Sequence, residues 1–510
     1  MSSARRAAGP PPAQVYETHT GVVLLCGERA YKTKKPLRTD FLDFSTPALR
    51  EHACARELRL NARLTPDVYL GVAQLTDPEG GPAEPVLVMR RMPADRRLSA
   101  LLAANELPAA DLTALVELLA DFHRTARRGP DIDHAGTADA LRDRWRALLD
   151  PLRAGPAELI DPQLLDRIDR RAMTYLAGRA DLFGERIAQG RIVDGHGDLL
   201  TEDIFDLDDG FRILDCLDFD DQLRYVDGLD DIAFLAMDIE YLGHFELADA
   251  VVASYQRAVH DPAPVSLRDH YIAYRAAVRA KVDLLRAGQG DSTAGGRLRR
   301  HLRIAEARLD DSAVRLVLVG GLPGTGKSTV ATRLAERSGA ALLSSDHLRK
   351  EMVGAARIGG ELGRFGAGRY SPANRTRVYD ELLDRARGLL TRGVSVILDA
   401  SWTDQDERAR AATLAEDVAA ELIALRCVCP RALAHRRLGD RRGSESDATA
   451  EIADAMAACE TAWSRAVTLD TSAPLSDTVA SAHDAWHRGG SVPTGRALNR
   501  NIPRTQETTP

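Results

Sequence analysis

The segment Gly321-Leu322-Pro323-Gly324-Thr325-Gly326-Lys327-Ser328 constrains the fold more than any other stretch of the chain. The apolar run 314–319 precedes it and Thr329-Val-Ala-Thr-Arg-Leu-Ala335 follows, so a buried strand leads in and a helix leads out. This is G-x-x-x-x-G-K-[ST] in the context that the motif requires. Glycines let such a loop wrap closely, and its backbone N–H groups and the helix N-terminus then face negative charge. Gly321 to Thr329 are expected to hold the phosphates of a nucleoside triphosphate. Lys327 would reach the β- and γ-phosphates, and the Ser328 hydroxyl would ligate Mg²⁺.

From residue 313 onward, strand and helix patterns alternate. Strands are expected at 314–319, 341–343, 394–398, 422–428 and 466–469, with helices between them. Ser371-Pro372 and Thr403-Asp404 read as helix starts, the latter with Thr403 and Asp406 as a loose capping box. Ile452, Met456, Cys459 and Trp463 are expected on one face of another helix. Such alternation implies an α/β domain, a parallel five-stranded sheet with flanking helices.

Phosphoryl transfer also needs a carboxylate for the metal and a group that orients or deprotonates the acceptor. Asp399 ends the apolar Val396-Ile-Leu run, where a metal-holding aspartate belongs; it can equally cap the next helix. Asp346 opens a helix after the second strand and can act as general base or as helix cap. Arg349, one turn on, could grip an anion. The Gly-rich 354–370 stretch, with Arg357, Arg364 and Arg369, and the basic bend 436–442 read as mobile covers or as solvated loops. In the covering role, Arg437 and Arg441 would supply charge to the transferring phosphate. On Gly321–Ser328, Asp346, Arg349, Asp399 and the 436–442 arginines, residues 312–488 resemble the small P-loop kinases of the gluconate kinase, polynucleotide kinase and zeta-toxin kind. That resemblance leaves the acceptor open.

The first half carries a different pattern. A β-rich stretch with one helical segment (47–64) fills 15–89, and helices dominate from 109. Among those helices, one is expected over 162–185. Interrupting them is Ile192-Val-Asp-Gly-His196-Gly-Asp198-Leu-Leu-Thr-Glu-Asp203, then Ile213-Leu-Asp215-Cys-Leu-Asp218. The eukaryotic-type kinase loop places an Asp two residues after its His and an Asn five residues further. His196, Asp198 and Asp203 stand at those offsets, an aspartate replacing the asparagine. Asp198 would take the acceptor's proton, and Asp203 and Asp215 would hold Mg²⁺, with Asp218 an alternative ligand.

This pattern resembles the aminoglycoside phosphotransferase and choline kinase-like family over residues 15–290. Leu118-Leu-Ala-Asp-Phe-His123 and Asp230-Asp-Ile-Ala-Phe resemble further family features. The resemblance implies a protein-kinase-like bilobal domain, α+β in class, with a strand lysine for ATP held by a helix glutamate. Lys32 and Glu57 fit by position, and 89–92 would be the adenine-binding hinge. Only six of the 68 basic residues are lysines, and three of these are Lys32, Lys34 and Lys35. In a chain that otherwise uses arginine, that cluster indicates a wanted ammonium; which of the three serves stays open. A Gly-rich phosphate-covering loop is not visible in the small lobe.

Taken together, the chain divides into 1–14 (disordered), 15–290 (phosphotransferase-like), 291–311 (connecting helix), 312–488 (P-loop kinase-like) and 489–510 (disordered). The two modules together resemble a predicted bacterial family of such fusions. The reading is an ATP- and Mg²⁺-dependent kinase of small-molecule hydroxyls with two nucleotide sites. One alternative is a polynucleotide 5′-hydroxyl kinase in the second half. Another is an inert or regulatory first half beside one active kinase. A net charge of −7 and the absence of an aromatic-basic stripe argue against nucleic acid as partner. No apolar run approaches the ~18 residues of a membrane span. Six scattered cysteines without C-x-x-C spacing fit reduced thiols in a cytoplasmic protein.

Overall fold

A computed structural model of the chain describes residues 13–17, 20–38, 43–76, 78–106, 112–355, 371–440 and 449–489. Of the two ends expected to be disordered, 1–12 and 490–510 lie outside the described residues, as do Arg357, Arg364, Arg369, Arg441 and Arg442. The chain forms two compact units, Met1–Val314 with Gly388–Val394, and Arg315–Arg387 with Ser395–Pro510.

The first unit begins with β1 (Gln14–Glu17), β2 (Gly21–Cys26), β3 (Arg29–Lys34), helix α1 (Pro47–Asn61), β4 (Tyr69–Leu75) and β5 (Glu84–Arg90). The strands pair antiparallel in the order β1-β2-β3-β5-β4. Thr46 starts α1 by accepting the Leu49 N–H, with Pro47 in the first turn, where its missing N–H costs nothing. Strand alternation puts Ala30, Lys32 and Lys34 on one face. Ala30 joins Cys54, Val68, Tyr69, Leu87 and Met89 in the core between sheet and helix. Two lysines are therefore aimed at the same side as α1.

The helical lobe follows: α2 (Leu98–Ala103), α3 (Leu112–Thr125), α4 (Pro130–Asp133), α5 (Ala138–Arg153), α6 (Pro162–Ala177) and α7 (Ala180–Ala188). Short strands β6 (Ile192–Asp194), β7 (Ile204–Leu207), β8 (Gly210–Ile213) and β9 (Tyr225–Asp227) carry the acidic segment. Then come α8 (Gly228–Tyr241), α9 (Phe245–Ala258), α10 (Val265–Gly288) and α11 (Ala294–Ser312). The helix expected over 162–185 is two helices, because Gly178 ends the first of them. Twelve of the 14 residues of α8 are buried, so Asp230 and Asp231 in its first turn are interior charges that must find partners.

In the second unit, β10 (Arg315–Gly320), α12 (Lys327–Ser338), β11 (Ala341–Ser344), α13 (Ser345–Gly354), α14 (Pro372–Leu390) and β12 (Val396–Asp399) come first. They are followed by α15 (Gln405–Asp417), β13 (Glu421–Val428), α16 (Arg431–Gly439), α17 (Ala450–Ala458), β14 (Val467–Asp470) and α18 (Leu475–Arg488). The sheet is parallel throughout, in the order β11-β12-β10-β13-β14. All six residues of central β10 are buried, as a strand covered on both faces must be.

Three local expectations change. Asp404, not Thr403, caps α15, its carboxylate accepting the Asp406 N–H at 2.9 Å. α17 ends at Ala458, so Cys459 and Trp463 leave the helix. The Trp463 ring instead covers Gly320, where a Cβ would lie 2.4 Å from it. Finally, Arg436 and Arg437 belong to α16 and not to a bend. Among the described residues, no helix is long and apolar enough to cross a membrane.

Candidate active sites

In the first unit, Lys32 Nζ lies 2.7 Å from Glu57 Oε1 and 2.9 Å from Asp215 Oδ1. Lys34 Nζ pairs with the other oxygen of Glu57 at 2.6 Å and with Asp218 at 3.0 Å. Lys35 instead pairs with Glu17, away from the other two. Of the three lysines, Lys32 is thus the one that joins the helix glutamate to the expected metal ligand. Asp218, the alternative ligand, is engaged by Lys34. Burial opposes charge on Lys32, but Asp215 and Glu57 outweigh it and hold the ammonium's pKa well above its usual value. Lys32 in turn holds the Asp215 carboxyl below the usual range.

Asp215 adopts φ 61°, a left-handed conformation that costs a non-glycine residue about 1–3 kcal/mol. Its neighbourhood fixes this kink. Tyr69 Oη accepts the Asp215 N–H at 3.1 Å, Asn61 Oδ1 accepts the Cys216 N–H at 2.8 Å, and the Asp203 carbonyl accepts the Leu214 N–H at 2.8 Å. Side chains of the small lobe therefore position the backbone of the acidic turn.

The second fixed piece is the loop His196-Gly197-Asp198. Asp231 Oδ2 accepts the His196 N–H at 2.6 Å, and Oδ1 accepts the Gly197 N–H at 2.9 Å. His123 Nε2 reaches Asp231 Oδ2 at 3.1 Å, with Tyr255 Oη on its other nitrogen at 2.8 Å. Although burial opposes charge on Asp231, these partners hold its carboxyl well below the ordinary range. The His196 ring is buried, which lowers its pKa to about 4. The neutral ring donates from Nε2 to the Leu214 carbonyl at 3.2 Å and accepts the Asp198 N–H on Nδ1 at 3.3 Å. His196 therefore ties the Asp198 loop to the Asp215 turn.

Enclosure raises the Asp198 carboxyl to about 6; Arg279 opposes this and Asp215 reinforces it. Burial, then Asp215 and Asp198, push Asp203 well above the carboxylate range. Asp215 thus raises both Asp198 and Asp203, and Asp198 raises Asp203 further. An all-oxygen donor set of one or two carboxylates completed by substrate phosphates suits Mg²⁺. Asp203 and Asp215 fit that role; among the described residues no cluster of three or more metal-binding side chains exists to hold an ion without phosphate.

In the second unit, β10 runs into the loop 321–326 and α12 begins at Lys327. Gly324 has φ 85°, and a Cβ there would lie 2.5 Å from the Ala434 carbonyl; at Gly321 it would lie 2.5 Å from the Cys427 carbonyl. The loop is squeezed against neighbouring backbone, which only glycine permits. Lys327 is buried and Ser328 exposed at the start of the helix. Asp399 aligns with Val319 on one side and Ser344 on the other, so it ends its strand beside the loop. It caps no helix, since Asp404 does that for α15. Asp346 is likewise not the cap of α13, because Ser344 holds that position. Asp346 pairs with Arg349, one turn on in the same helix, at 2.5 Å.

Arg437 reaches over the loop from α16, donating to the Thr471 carbonyl at 2.7 Å and to Thr471 Oγ1 at 3.2 Å. Thr471 in turn donates from Oγ1 to the Thr325 carbonyl at 2.7 Å. A cavity of about 360 Å³ opens here, lined by Gly326, Thr329, Val330, Arg437, Thr471 and Leu475 among others. Sequence reasoning missed Thr471; the Asp470-Thr-Ser turn after the last strand is the only local signal. It also missed Asp231 as the loop's anchor, beyond the Asp230-Asp-Ile resemblance.

Residues 316–461 match the AAA domain family model. The uncharacterized proteins Rv2004c of Mycobacterium tuberculosis and Mb2027c of Mycobacterium bovis are each 47% identical over 460 residues, spanning 90% of this chain and 92% of theirs. Among solved structures, a sugar kinase from Janibacter covers 34% of this chain and 93% of its own at 21% identity, TM-score 0.27. A choline/ethanolamine kinase family protein from Mesorhizobium loti covers 59% and 94% at 16% identity, TM-score 0.36.

Proposed function

The chain belongs to one family with these mycobacterial proteins, and we propose that it is an ATP-dependent phosphotransferase with an alcohol acceptor and two separate nucleotide sites. The observation that carries the reading is the Lys32 ammonium shared between Glu57 and Asp215, beside Asp198 and Asp203. A half-buried lysine locked by a helix glutamate and pointing at a metal-type aspartate is the apparatus of phosphoryl transfer. In this reading Lys32 holds the α- and β-phosphates and Glu57 keeps it in place. Asp198 orients the acceptor hydroxyl and takes its proton as that oxygen bonds to the γ-phosphorus of ATP and the bond from this phosphorus to the β–γ bridging oxygen breaks, releasing ADP. Mg²⁺, held by Asp203 and Asp215, would neutralise phosphate charge. In the second unit the loop amides and Lys327 would cradle the phosphates, Ser328 and Asp399 would serve the metal, and Asp346 would orient the acceptor. The cavity under Arg437 and Thr471 suits the nucleoside.

Phosphate transfer from labelled ATP by the full chain, by Lys327→Ala, by Asp198→Asn and by the double variant tests this. Each single variant is expected to lose part of the transfer and the double variant all of it. If Lys327→Ala alone abolishes transfer to every acceptor, the first unit is not an independent kinase. Calorimetry gives an independent check: Lys327→Ala should retain one ATP site.

A further inference from the structure

The charge around Asp198 is unevenly matched. Arg275, on α10, donates to both oxygens of Asp230 at 2.7 and 2.8 Å and to the Gly197 carbonyl at 3.4 Å, so this helix lies against the Asp198 loop. Residues four apart on a helix share a face. Arg279 therefore stands one turn along the same face, near enough for its charge to oppose the rise of the Asp198 carboxyl. Two acids act on Asp198 and both are occupied: Asp215 by Lys32 at 2.9 Å, and Asp238 by the Thr201 N–H at 2.9 Å and the Thr201 hydroxyl at 2.6 Å. Among the described residues, Arg279 makes no hydrogen bond or ion pair, and it is only partly exposed. By contrast, the buried arginines Arg186, Arg224, Arg275 and Arg308 are each matched by carboxylates.

We propose that Arg279 receives an anionic group of the acceptor, so that the first unit phosphorylates a hydroxyl of a compound carrying a carboxylate or phosphate near that hydroxyl. The inference rests on the reading of Asp198 as the group that orients the acceptor. Chemistry favours an arginine here, because its fork matches both anions in two-point fashion. The same charge repels ammonium-bearing alcohols, which adds discrimination of the repulsive kind.

The test uses the full chain carrying Lys327→Ala, so that the second site is silent. Matched alcohols are offered: glycerol, glycerate, glycerol 3-phosphate and choline, then glucose, gluconate, glucose 6-phosphate and glucosamine. Binding is read by calorimetry in the presence of a non-hydrolysable ATP analogue, and transfer by labelled ATP. At least one acidic member is expected to bind tenfold or more tightly than its neutral and amino counterparts. Arg279→Ala should erase that preference by roughly 10- to 100-fold, the range of a hydrogen-bonded charge. Arg279→Lys should restore part of it, with the KM for ATP unchanged. The carboxylate and phosphate arms tell which anion fits. Preference for neutral or amino members, no binding of any acid, or a preference indifferent to Arg279→Ala overturns the proposal. Anion preference that depends on Arg279 without transfer that depends on Asp198 would sink the kinase reading alone. Transfer that depends on Asp198 yet ignores Arg279 would sink the inference alone.

Discussion

Replacing Asp231 by asparagine should unlock the Asp198 loop with little change of side-chain volume. The carboxylate now serves three donors: the N–H groups of His196 and Gly197, and Nε2 of His123. An asparagine has one carbonyl oxygen. Turned toward His196 and His123, it leaves its own NH₂ facing the Gly197 N–H, donor against donor. One buried backbone donor is then orphaned, at about 1–3 kcal/mol, and two charge-assisted bonds become neutral ones at about 0.5–1.5 kcal/mol each. Removing a buried charge returns part of this, but the depressed Asp231 carboxyl says that its partners outweigh burial. The net expectation is a loss of about 2–4 kcal/mol, which at about 2–4 °C per kcal/mol lowers the first unit's melting transition by about 4–16 °C. Calorimetry of the full chain measures it, with the second unit's transition as internal control. Transfer by the first unit should fall mainly in kcat, because Lys32 and Glu57 are untouched. A transition within 2 °C of the parent, with kcat unchanged, would refute the claim that Asp231 holds the loop.

Three other outcomes follow from the geometry. The folded protein keeps His196 neutral to about pH 4, whereas the unfolded chain takes up that proton near 6.5. Acid therefore favours the unfolded state: this contribution is intact above about pH 6.5 and declines toward pH 4, by about 3 kcal/mol in all. Urea unfolding of the first unit from pH 7 to 4.5 measures the slope, which His196→Gln should flatten. Glu57→Gln leaves Lys32 and Lys34 sharing a neutral partner, so in the Lys327→Ala background the KM for ATP should rise and kcat fall about tenfold or more; unaltered kinetics would remove Glu57 from the site. Gly324→Ala drives a methyl into the Ala434 carbonyl at a left-handed position. ATP binding by the second unit should weaken more than tenfold by calorimetry, while the first site keeps its affinity.

The P-loop unit was readable because its signals are local. Apolar runs of strand length, a Gly-rich turn and helical periodicity set all five strands within one or two residues at most ends. Lys32, Glu57 and the 196–215 acids were readable by spacing and resemblance. What stayed hidden depends on convergence of distant segments. His123 and Asp231 stand 108 residues apart, and nothing in either neighbourhood announces the other. Arg279 sits among many arginines, and only the matching of its neighbours singles it out. Gly178 was passed over because a lone glycine costs a helix only about 1 kcal/mol, too little to decide a boundary without the packing. Trp463 continued a helical spacing by chance after the helix had ended.

The bridge from Lys32 to Asp215 makes the resting first site its own counter-ion reservoir. In the proposed function an arriving nucleotide with its cation would exchange partners there, phosphate taking the Lys32 ammonium and the cation the Asp215 carboxylate. Few mobile ions from solution need be released or gathered in such a swap. Affinity at this site should therefore vary weakly with ionic strength, despite the density of charge on both sides. The swap also links the two arrivals. Phosphate that drew Lys32 away would leave Asp215 to the cation, and a cation held by Asp215 would leave Lys32 to the phosphate. Metal and nucleotide should thus each raise the other's affinity, through one side chain that changes partners.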